Sequence, residues 1–452
     1  GDGLVHINSE VGLEGEGLLL GGDEGHSEAE LAGCFLAVGL SEPCTVNGQI
    51  VKYSVRLNSV EASRRRGTFP YPPELAGIAP GTFTGDLTII NRQLGKTSQR
   101  GTRRPVRFDV QLPMLTGASD EGVSLGQYVE VRGKGFVGGT SGSTLLEFDG
   151  TFTPKGESAR PVKLSLVTGF VDGSTLRYVL EEQNGVGAVV DLRKETGVLS
   201  GTWQPIVSFR SEEQRGAKAE LAVKIGAVKQ VVHLRFLPSW QEALRAFGLQ
   251  PADRLVRDRV LAVLRRAYEG IDVEVREEQP KDFGLYATVD IGGPDPNGLG
   301  LLGYDNTPGK DVENKRLFDH VGGVNALTQE DGYPGYGGIF ALSQLGFSEH
   351  PPQGVKRSSL HTPLFDQIFD PVRPDKGQEV TSSEVAGAPK LDMPQGCPAS
   401  ERSKRVACAI LVLGNLIGHT AAHELGHSFG LAEPYGAPTA YHNPGDIPNR
   451  LM

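Results

Sequence analysis

The chain has 452 residues, too many for one ordinary hydrophobic core, so roughly two to four domains are expected. Its formal net charge of -10 argues against a nucleic-acid-binding protein, which needs a basic surface. Glycine (61 residues) and proline (29 residues) are abundant, a composition typical of a turn-rich β architecture.

The first half of the sequence contains an internal repeat, which is visible when the chain is displaced by about 118 residues. Gly15-Glu16-Gly17 then aligns with Gly133-Lys134-Gly135. After a one-residue gap further positions coincide: Gly21, Gly22, Gly25, Gly33 and Phe35 with Gly138, Gly139, Gly142, Gly150 and Phe152, and later Gly81 and Gly85 with Gly197 and Gly201. Residues 1–113 and 114–238 are therefore predicted to be two copies of one domain.

Each copy alternates short β-type runs with turns; in the second copy these runs are 128–132, 145–148, 162–166 and 231–236. The segment 126–136, GQYVEVRGKGF, resembles the opening of an IPT/TIG immunoglobulin-like domain, in which a strand enters a Gly-x-Gly turn that needs positive φ. The resemblance implies two all-β immunoglobulin-like sandwiches. Neither copy shows a catalytic constellation, so they are interpreted as spacers or as contacts to a cell surface or polysaccharide.

The third region, 239–452, begins with helices. Ser239 and Glu242 form a capping-box pattern, and Pro251 precedes a second amphipathic helix with Leu255, Val256, Val260, Val263, Leu264 and Ala267 on its inner face. Alternating apolar residues at 271–275 and 285–291 then predict two strands. Helices and strands in one region predict an α+β domain.

A long segment rich in Gly, Pro, Asp and Asn follows, from 292 to 392. Its oxygen donors could hold a structural Ca²⁺; they are Asp295, Asn297, Asp305, Asn306 and Asp311. Surface loops with Asx-turns are the favoured interpretation of these side chains. Within the segment, 337–342 (GGIFAL) is a candidate edge strand along which a peptide could lie.

The four cysteines form two local pairs, Cys34 with Cys44 and Cys397 with Cys408. An even count in close pairs predicts two disulfides and a secreted or cell-surface protein, although four buried thiols would give the same count. The longest apolar run, 406–417, is shorter than a bilayer requires and is predicted to be a buried helix rather than a membrane span.

The C-terminal stretch carries the chemistry. His423, Glu424 and His427 form the pattern H-E-x-x-H after an apolar, proline-free run, and residues four apart share one face of a helix. Two imidazoles on one helical face suit Zn²⁺, and Glu424 beside them could act as the general base. Gly430 can end the helix in a left-handed conformation and turn the chain back toward the metal.

With Glu433 this pattern resembles the metzincin zinc proteases, H-E-x-x-H-x-x-G-x-x-H/D, and Leu451-Met452 resembles their Met-turn. The resemblance implies an α+β metalloendopeptidase domain that cleaves protein or peptide substrates, and a further helix after Met452, so the sequence is expected to be truncated. Position 433 departs from the pattern because glutamate replaces histidine or aspartate. His442 is the alternative third ligand, since zinc accepts either donor. His419, one turn before His423 on the same face, is interpreted as a residue that supports a ligand or packs, and not as a ligand itself.

Two other functions fit the sequence less well. An adhesion or carbohydrate-binding protein with an inactive protease-like domain would have no need of an intact Glu424. A gluzincin would take its third ligand from a later helix, for which the sequence after Glu433 leaves little room.

Overall fold

The computed structural model describes residues 2–119, 121–140, 142–183, 185–305, 312–314, 317–322 and 337–431. The chain divides into two compact units, Gly1–Ala227 and Val228–Met452. The first unit contains the first predicted repeat and residues 114–227 of the second, and the second unit contains the H-E-x-x-H motif.

The first repeat consists of two β-sheets around a shared core. Its elements are β1 (Asp2–His6), β2 (Glu10–Glu14), β3 (Gly25–Ala37), α1 (Cys44–Asn47), β4 (Gln49–Arg56), β5 (Asn58–Ser59), β6 (Arg66–Pro70), β7 (Gly81–Gln93), β8 (Gln99–Arg100) and β9 (Arg104–Gln111). One sheet has the order β1-β9-β7-β3-β4, with β8 added to β7, and the other has the order β2-β6-β5. Leu31, Phe69, Tyr71 and Phe83 are fully buried in the core.

The second repeat has the same plan. Its elements are β10 (Met114–Ala118), β11 (Tyr128–Lys134), β12 (Gly142–Pro154), β13 (Arg160–Val167), β14 (Gly169–Asp172), β15 (Thr175–Val179), β16 (Gly197–Phe209), β17 (Glu212–Arg215) and β18 (Ala219–Ile225). One sheet has the order β10-β11-β15-β14, and the other has the order β13-β12-β16-β17, with β18 also paired to β16. The all-β, two-sheet architecture expected for both repeats is thus observed.

The recurring glycines have a packing role. Gly33 pairs with Gly85 between β3 and β7, and Gly150 pairs with Gly201 between β12 and β16. A Cβ on Gly33 would lie 2.4 Å from the carbonyl oxygen of Thr84, and one on Gly150 would lie 2.3 Å from the equivalent oxygen of Ser200. The same cross-strand glycine pair therefore occurs in both copies, which confirms the internal repeat.

One hydrophobic core contains residues of both repeats. Val137, Val207 and Phe209 of the second repeat pack into the apolar cluster of the first. The Nδ2 atom of Asn8 also donates a hydrogen bond of 2.9 Å to the carbonyl of Phe136. The two repeats consequently form one compact unit and not two separately folded domains.

Both predicted disulfides are present, Cys34–Cys44 and Cys397–Cys408. The first links β3 to α1, and the second fastens the preceding loop to the long C-terminal helix described below. This pairing confirms the disulfide prediction and is consistent with an oxidising compartment.

The second unit combines helices with a mixed β-sheet. Its elements are β19 (Gln230–Phe236), α2 (Pro238–Ala246), α3 (Asp253–Ala267), β20 (Val273–Arg276), β21 (Ala287–Gly292), β22 (Gly303–Asp305), β23 (His320–Val321), β24 (Gly337–Phe340), α4 (Pro363–Phe369), α5 (Ser382–Gly387) and α6 (Arg402–Ser428). Short 3₁₀ helices occur in both units, at Gly22–Glu24, Gly185–Ala188, Gln250–Ala252, Val312–Asn314 and Ala341–Phe347.

The sheet has the order β20-β19-β21-β24-β22, with β23 also paired to β21. β22 runs antiparallel to β24, and the other pairings are parallel. One face of the sheet packs on the helices, and the core between them includes Val232, Leu234, Trp240, Leu264, Val289, Leu413 and Ile417.

Three predictions about this unit are wrong. The domain boundary lies after Ala227, not after residue 238, because the run 231–236 forms β19 between β20 and β21 instead of a strand of the second repeat. The segment 337–342 does not form the edge of the sheet, since β22 covers β24 there. α2 has Leu237 as its N-cap without a side-chain cap, because Pro238 in the first turn already favours a helix start.

α6 is the central helix of the second unit. It has 27 residues, with a mean hydropathy of 1.5 over an 18-residue window, so by length and composition it could cross a bilayer. The apolar run 406–417 is the central part of this longer helix. Of the window, 67% is buried inside the protein, as expected for the predicted buried helix.

Candidate metal centre

The last two turns of α6 bring three predicted site residues together. His423 is half-buried, while Glu424 and His427 are 6% and 8% exposed. The Nε2 atoms of the two histidines lie 3.1 Å apart, and their ring planes are nearly perpendicular at 84°. The two Nε2 atoms are therefore within hydrogen-bonding distance of each other on one face of the helix.

The end of α6 follows the prediction for Gly430, which has φ of +71°. Its N–H donates to the carbonyl of His427 at 3.0 Å, and the N–H of Leu431 donates to the carbonyl of Gly426 at 2.9 Å. These two bonds form a Schellman motif, which satisfies carbonyls that the helix end leaves without partners. The chain consequently turns away from the helix axis at Gly430, three residues after the second histidine.

The helix is also fixed from α3. The hydroxyl of Tyr268, which is 3% exposed, donates a 2.7 Å hydrogen bond to the carbonyl of Ala422, and its ring packs edge-on against Phe429. These contacts bracket the H-E-x-x-H turn on both sides. They restrict the freedom of the backbone that carries the two imidazoles.

Glu424 is held in a slot between α6 and β22. A Cβ on Gly303 would lie 2.6 Å from its Oε1 atom, and the backbone N–H of Asp305 donates to its carboxylate. Burial raises the pKa of Glu424 to about 8, and the nearby Asp305 carboxylate adds to the rise. A cation held by the histidines would lower this pKa, because an opposite charge favours the ionised form.

The donor set can be tested against zinc by geometry. Two imidazole nitrogens bound at about 2.0 to 2.1 Å to one tetrahedral zinc lie about 3.3 to 3.4 Å apart. The observed 3.1 Å between the Nε2 atoms of His423 and His427 is close to this spacing. The distance between the two imidazoles is therefore compatible with both of them binding one zinc.

The remaining predicted residues of the site, Glu433 and His442, and the Met-turn residues Leu451 and Met452 lie outside the described residues. Within the described ranges, no group of three or more His, Cys, Asp or Glu side chains could hold a metal ion. The choice between Glu433 and His442 as third ligand therefore stays a prediction.

His419, one turn before His423, has different surroundings. Its side chain is exposed, yet partial burial lowers its pKa, with Arg259 and Arg266 of α3 adding to the decrease. Two cationic neighbours are an unfavourable environment for a metal ligand. This agrees with the expectation that His419 is not a ligand, whereas its exposure does not support a packing role.

Among the candidate calcium donors, Asp295, Asn297 and Asp305 lie within the described residues. Asp295 is 6% exposed, and its carboxylate accepts backbone N–H bonds from Asn297, Gly300 and Leu301, at 3.0, 2.9 and 3.2 Å. This is the Asx-turn arrangement favoured for these residues. Asp305 lies apart from that turn, at the end of β22 beside Glu424. Asn306 and Asp311 are outside the described residues, so a calcium site stays a prediction.

Two buried residues behind the histidines were not predicted. Ser428 follows His427 directly and is fully buried, and its hydroxyl donates a 2.8 Å hydrogen bond to Oδ2 of Asp319. Asp319 is 3% exposed and also accepts the backbone N–H of His320 at 2.8 Å. This contact ties the C-terminal turn of α6 to the chain entering β23. Nothing in the sequence around Asp319 indicated it, because the contact joins segments 109 residues apart.

Substituting alanine for Ser428 is expected to lower the free energy of unfolding by about 1 to 3 kcal/mol, because a buried carboxylate loses a donor. Urea unfolding measures the change. Ser403→Ala, in the first turn of the same helix, is the control. Equal stability of Ser428→Ala and the unmodified protein would show that the hydrogen bond does not stabilise the helix end.

Comparison with known proteins gives limited information. No protein-family model matches the chain, and a search of curated proteins finds no match. Among solved structures the chain is similar to murine CEACAM1b, at 14% identity and a TM-score of 0.13 over 50% of this chain and 96% of that one. It is also similar to the FN1–FN3 domains of chicken CNTN1, at 12% identity and a TM-score of 0.14 over 50% of this chain and 65% of that one.

A third similarity is to the amphioxus IgVJ-C2 molecule, at 12% identity and a TM-score of 0.11 over 48% of this chain and 98% of that one. At such TM-scores these likenesses carry no conclusion about the chain. The two-sheet architecture of the first unit is established by its own strand pairing.

Proposed function

We propose that the chain is a secreted zinc-dependent metalloendopeptidase, with two immunoglobulin-like repeats before a metzincin-like catalytic domain. The observation that carries the proposal is the 3.1 Å approach of the Nε2 atoms of His423 and His427. The buried carboxylate of Glu424 next to them supports it. The two disulfides support export from the cell.

The chemistry follows from these side chains. Zinc bound at this point would acidify a water molecule and polarise the carbonyl of a peptide bond. Glu424 would accept the proton of that water and pass it to the leaving amine. His423 and His427 would supply two of the ligands, and Glu433 or His442 would supply the third.

The position of β22 supports a peptide as the substrate. Among the described strands, β22 is the last in the sheet order, and it packs against α6 next to Glu424. An edge strand offers backbone N–H and C=O groups to an extended chain. We infer that the substrate binds along β22, instead of along 337–342, which lies inside the sheet.

The test combines metal analysis with digestion of casein by the unmodified protein and by Glu424→Gln. We expect about one zinc per chain in both, and hydrolysis reduced by a factor of about 100 or more in the variant, because general-base catalysis is lost. Glu401→Gln, at the exposed N-cap of α6, is the matched control and should digest casein normally. Protein without zinc and without hydrolysis would contradict the proposal.

A second candidate is a cell-surface adhesion or polysaccharide-binding protein whose protease-like domain is inactive. The observation in its favour is that the described residues of the first unit, Gly1–Ala227, lie mainly in β-sheets. Binding of the full chain to cells or polysaccharide, together with no casein digestion at any zinc concentration, would favour it.

A further inference from the structure

Gly303 lies where strand β22 comes close to helix α6. A Cβ at this position would lie 2.6 Å from Oε1 and 2.8 Å from Cγ of Glu424, and 2.8 Å from Cγ2 of Thr420. Distances below 3 Å to carbon are too short for van der Waals contact. The slot that holds Glu424 therefore exists only because residue 303 has no side chain.

The conformation of the backbone does not explain the glycine. Gly303 is not among the residues with positive φ, so alanine could adopt its backbone conformation. It also lies in regular antiparallel pairing, opposite Ile339 of β24. Space for the Glu424 side chain is the remaining requirement at this position.

The strand itself is held firmly on its other side. Because side chains alternate along a strand, Tyr304 faces away from α6, and it packs with Phe340 and Leu237. The N–H of Phe340 also donates a 2.9 Å hydrogen bond to the carbonyl of Leu302. β22 consequently cannot retreat easily when a larger residue occupies position 303.

The opposite wall of the slot is equally fixed. The hydroxyl of Thr420 donates to the carbonyl of Leu416 at 2.8 Å and accepts the Nε2 of Gln344 at 3.2 Å. Gln344 is fully buried. A side chain added at position 303 would therefore displace the carboxylate of Glu424 before it displaced Thr420.

We propose that Gly303 is a positioning residue that sets the orientation of the Glu424 carboxylate relative to the two histidines. The absence of a Cβ opens the slot, and the N–H of Asp305, two residues further on, fixes the carboxylate within it. This inference rests on the proposed function for its catalytic consequence. The steric contact itself can be tested independently of activity.

The activity test is a double-mutant cycle. It compares Gly303→Ala, Glu424→Gln and the double variant in an assay with fluorescein-labelled casein. We expect Gly303→Ala to lower kcat by a factor of about 100, with KM and zinc content within about twofold of the unmodified protein, because the base is displaced but the ligands are not. In the Glu424→Gln background the same substitution should change kcat less than about threefold, because effects that act through one group are not additive.

The stability test uses Gly303→Ala, Glu424→Ala and their combination. Gly303→Ala should lower the Tm by about 3 °C or more, since overpacking is destabilising, and by less than half as much when Glu424 is already alanine. The control is Gly387→Ala, where a Cβ meets nothing within 4 Å.

An equal fall of Tm in both backgrounds, or an equal loss of kcat in both, would overturn the inference, because Gly303 would then act through β22 alone. If the unmodified protein does not digest casein, the proposed function fails. The Tm cycle still decides whether Gly303 and Glu424 are in contact.

Discussion

Substituting alanine for His427 is expected to weaken zinc binding by more than about 100-fold, since the loss of an outer-shell partner alone costs 10 to 100-fold. Casein hydrolysis should disappear with the metal. The reason is geometric: Nε2 of His427 lies 3.1 Å from Nε2 of His423, and without His427 the ion would keep only His423 and the proposed third ligand. Zinc affinity is measured by competition with a chromogenic chelator.

His419 provides a matched control on the same helix. It is exposed, and its neighbours Arg259 and Arg266 lie on α3. His419→Ala should therefore keep zinc affinity within a few-fold. If both histidine variants lose zinc equally, the loss reflects damage to the packing of α6. If His427→Ala keeps zinc, the ligand assignment is wrong.

The parts of this site that could be predicted from the sequence depend on local geometry. A spacing of four residues places His423 and His427 on one face of any α-helix, whatever surrounds it. Gly430 could likewise be predicted as the left-handed stop, because a helix end is determined by residues within one turn. Both features are present in the structure.

The slot for Glu424 could not be predicted, because it depends on long-range pairing. Gly303 lies in a stretch rich in Gly, Pro, Asp and Asn, and such composition indicates a loop. Its assignment to a strand requires the pairing with β24, more than 30 residues later. For the same reason Asp305 was placed in a surface loop, with a calcium site as the alternative.

The strand at 231–236 shows the same difference between local pattern and long-range pairing. The alternating run 231–236 was identified correctly as a strand, but periodicity does not say which sheet a strand joins. Its partners, β20 and β21, follow it in the chain and are separated from it by α2 and α3. The domain boundary was therefore placed too late.

The second large effect is expected at Gly418, where α6 crosses α3. A Cβ there would lie 2.7 Å from Cβ and 2.9 Å from Cγ1 of Val263. Neither atom can rotate away freely, because the Cβ of Val263 is attached to the backbone of α3. Intrinsic propensity alone predicts that Gly418→Ala stabilises the helix by about 1 kcal/mol. Contact with α3 predicts the opposite sign.

Overpacking of a well-packed core costs about 1 to 3 kcal/mol, so the net result for Gly418→Ala should be a loss of about 1 to 2 kcal/mol in the free energy of unfolding. Urea unfolding measures it, with Gly387→Ala as the control, since a Cβ there meets nothing within 4 Å. Zinc affinity should fall together with stability, because separation of the helices shifts His423, only five residues further along α6. A gain in stability would show that α3 and α6 can move apart without loss, and that their close approach does not position the histidines.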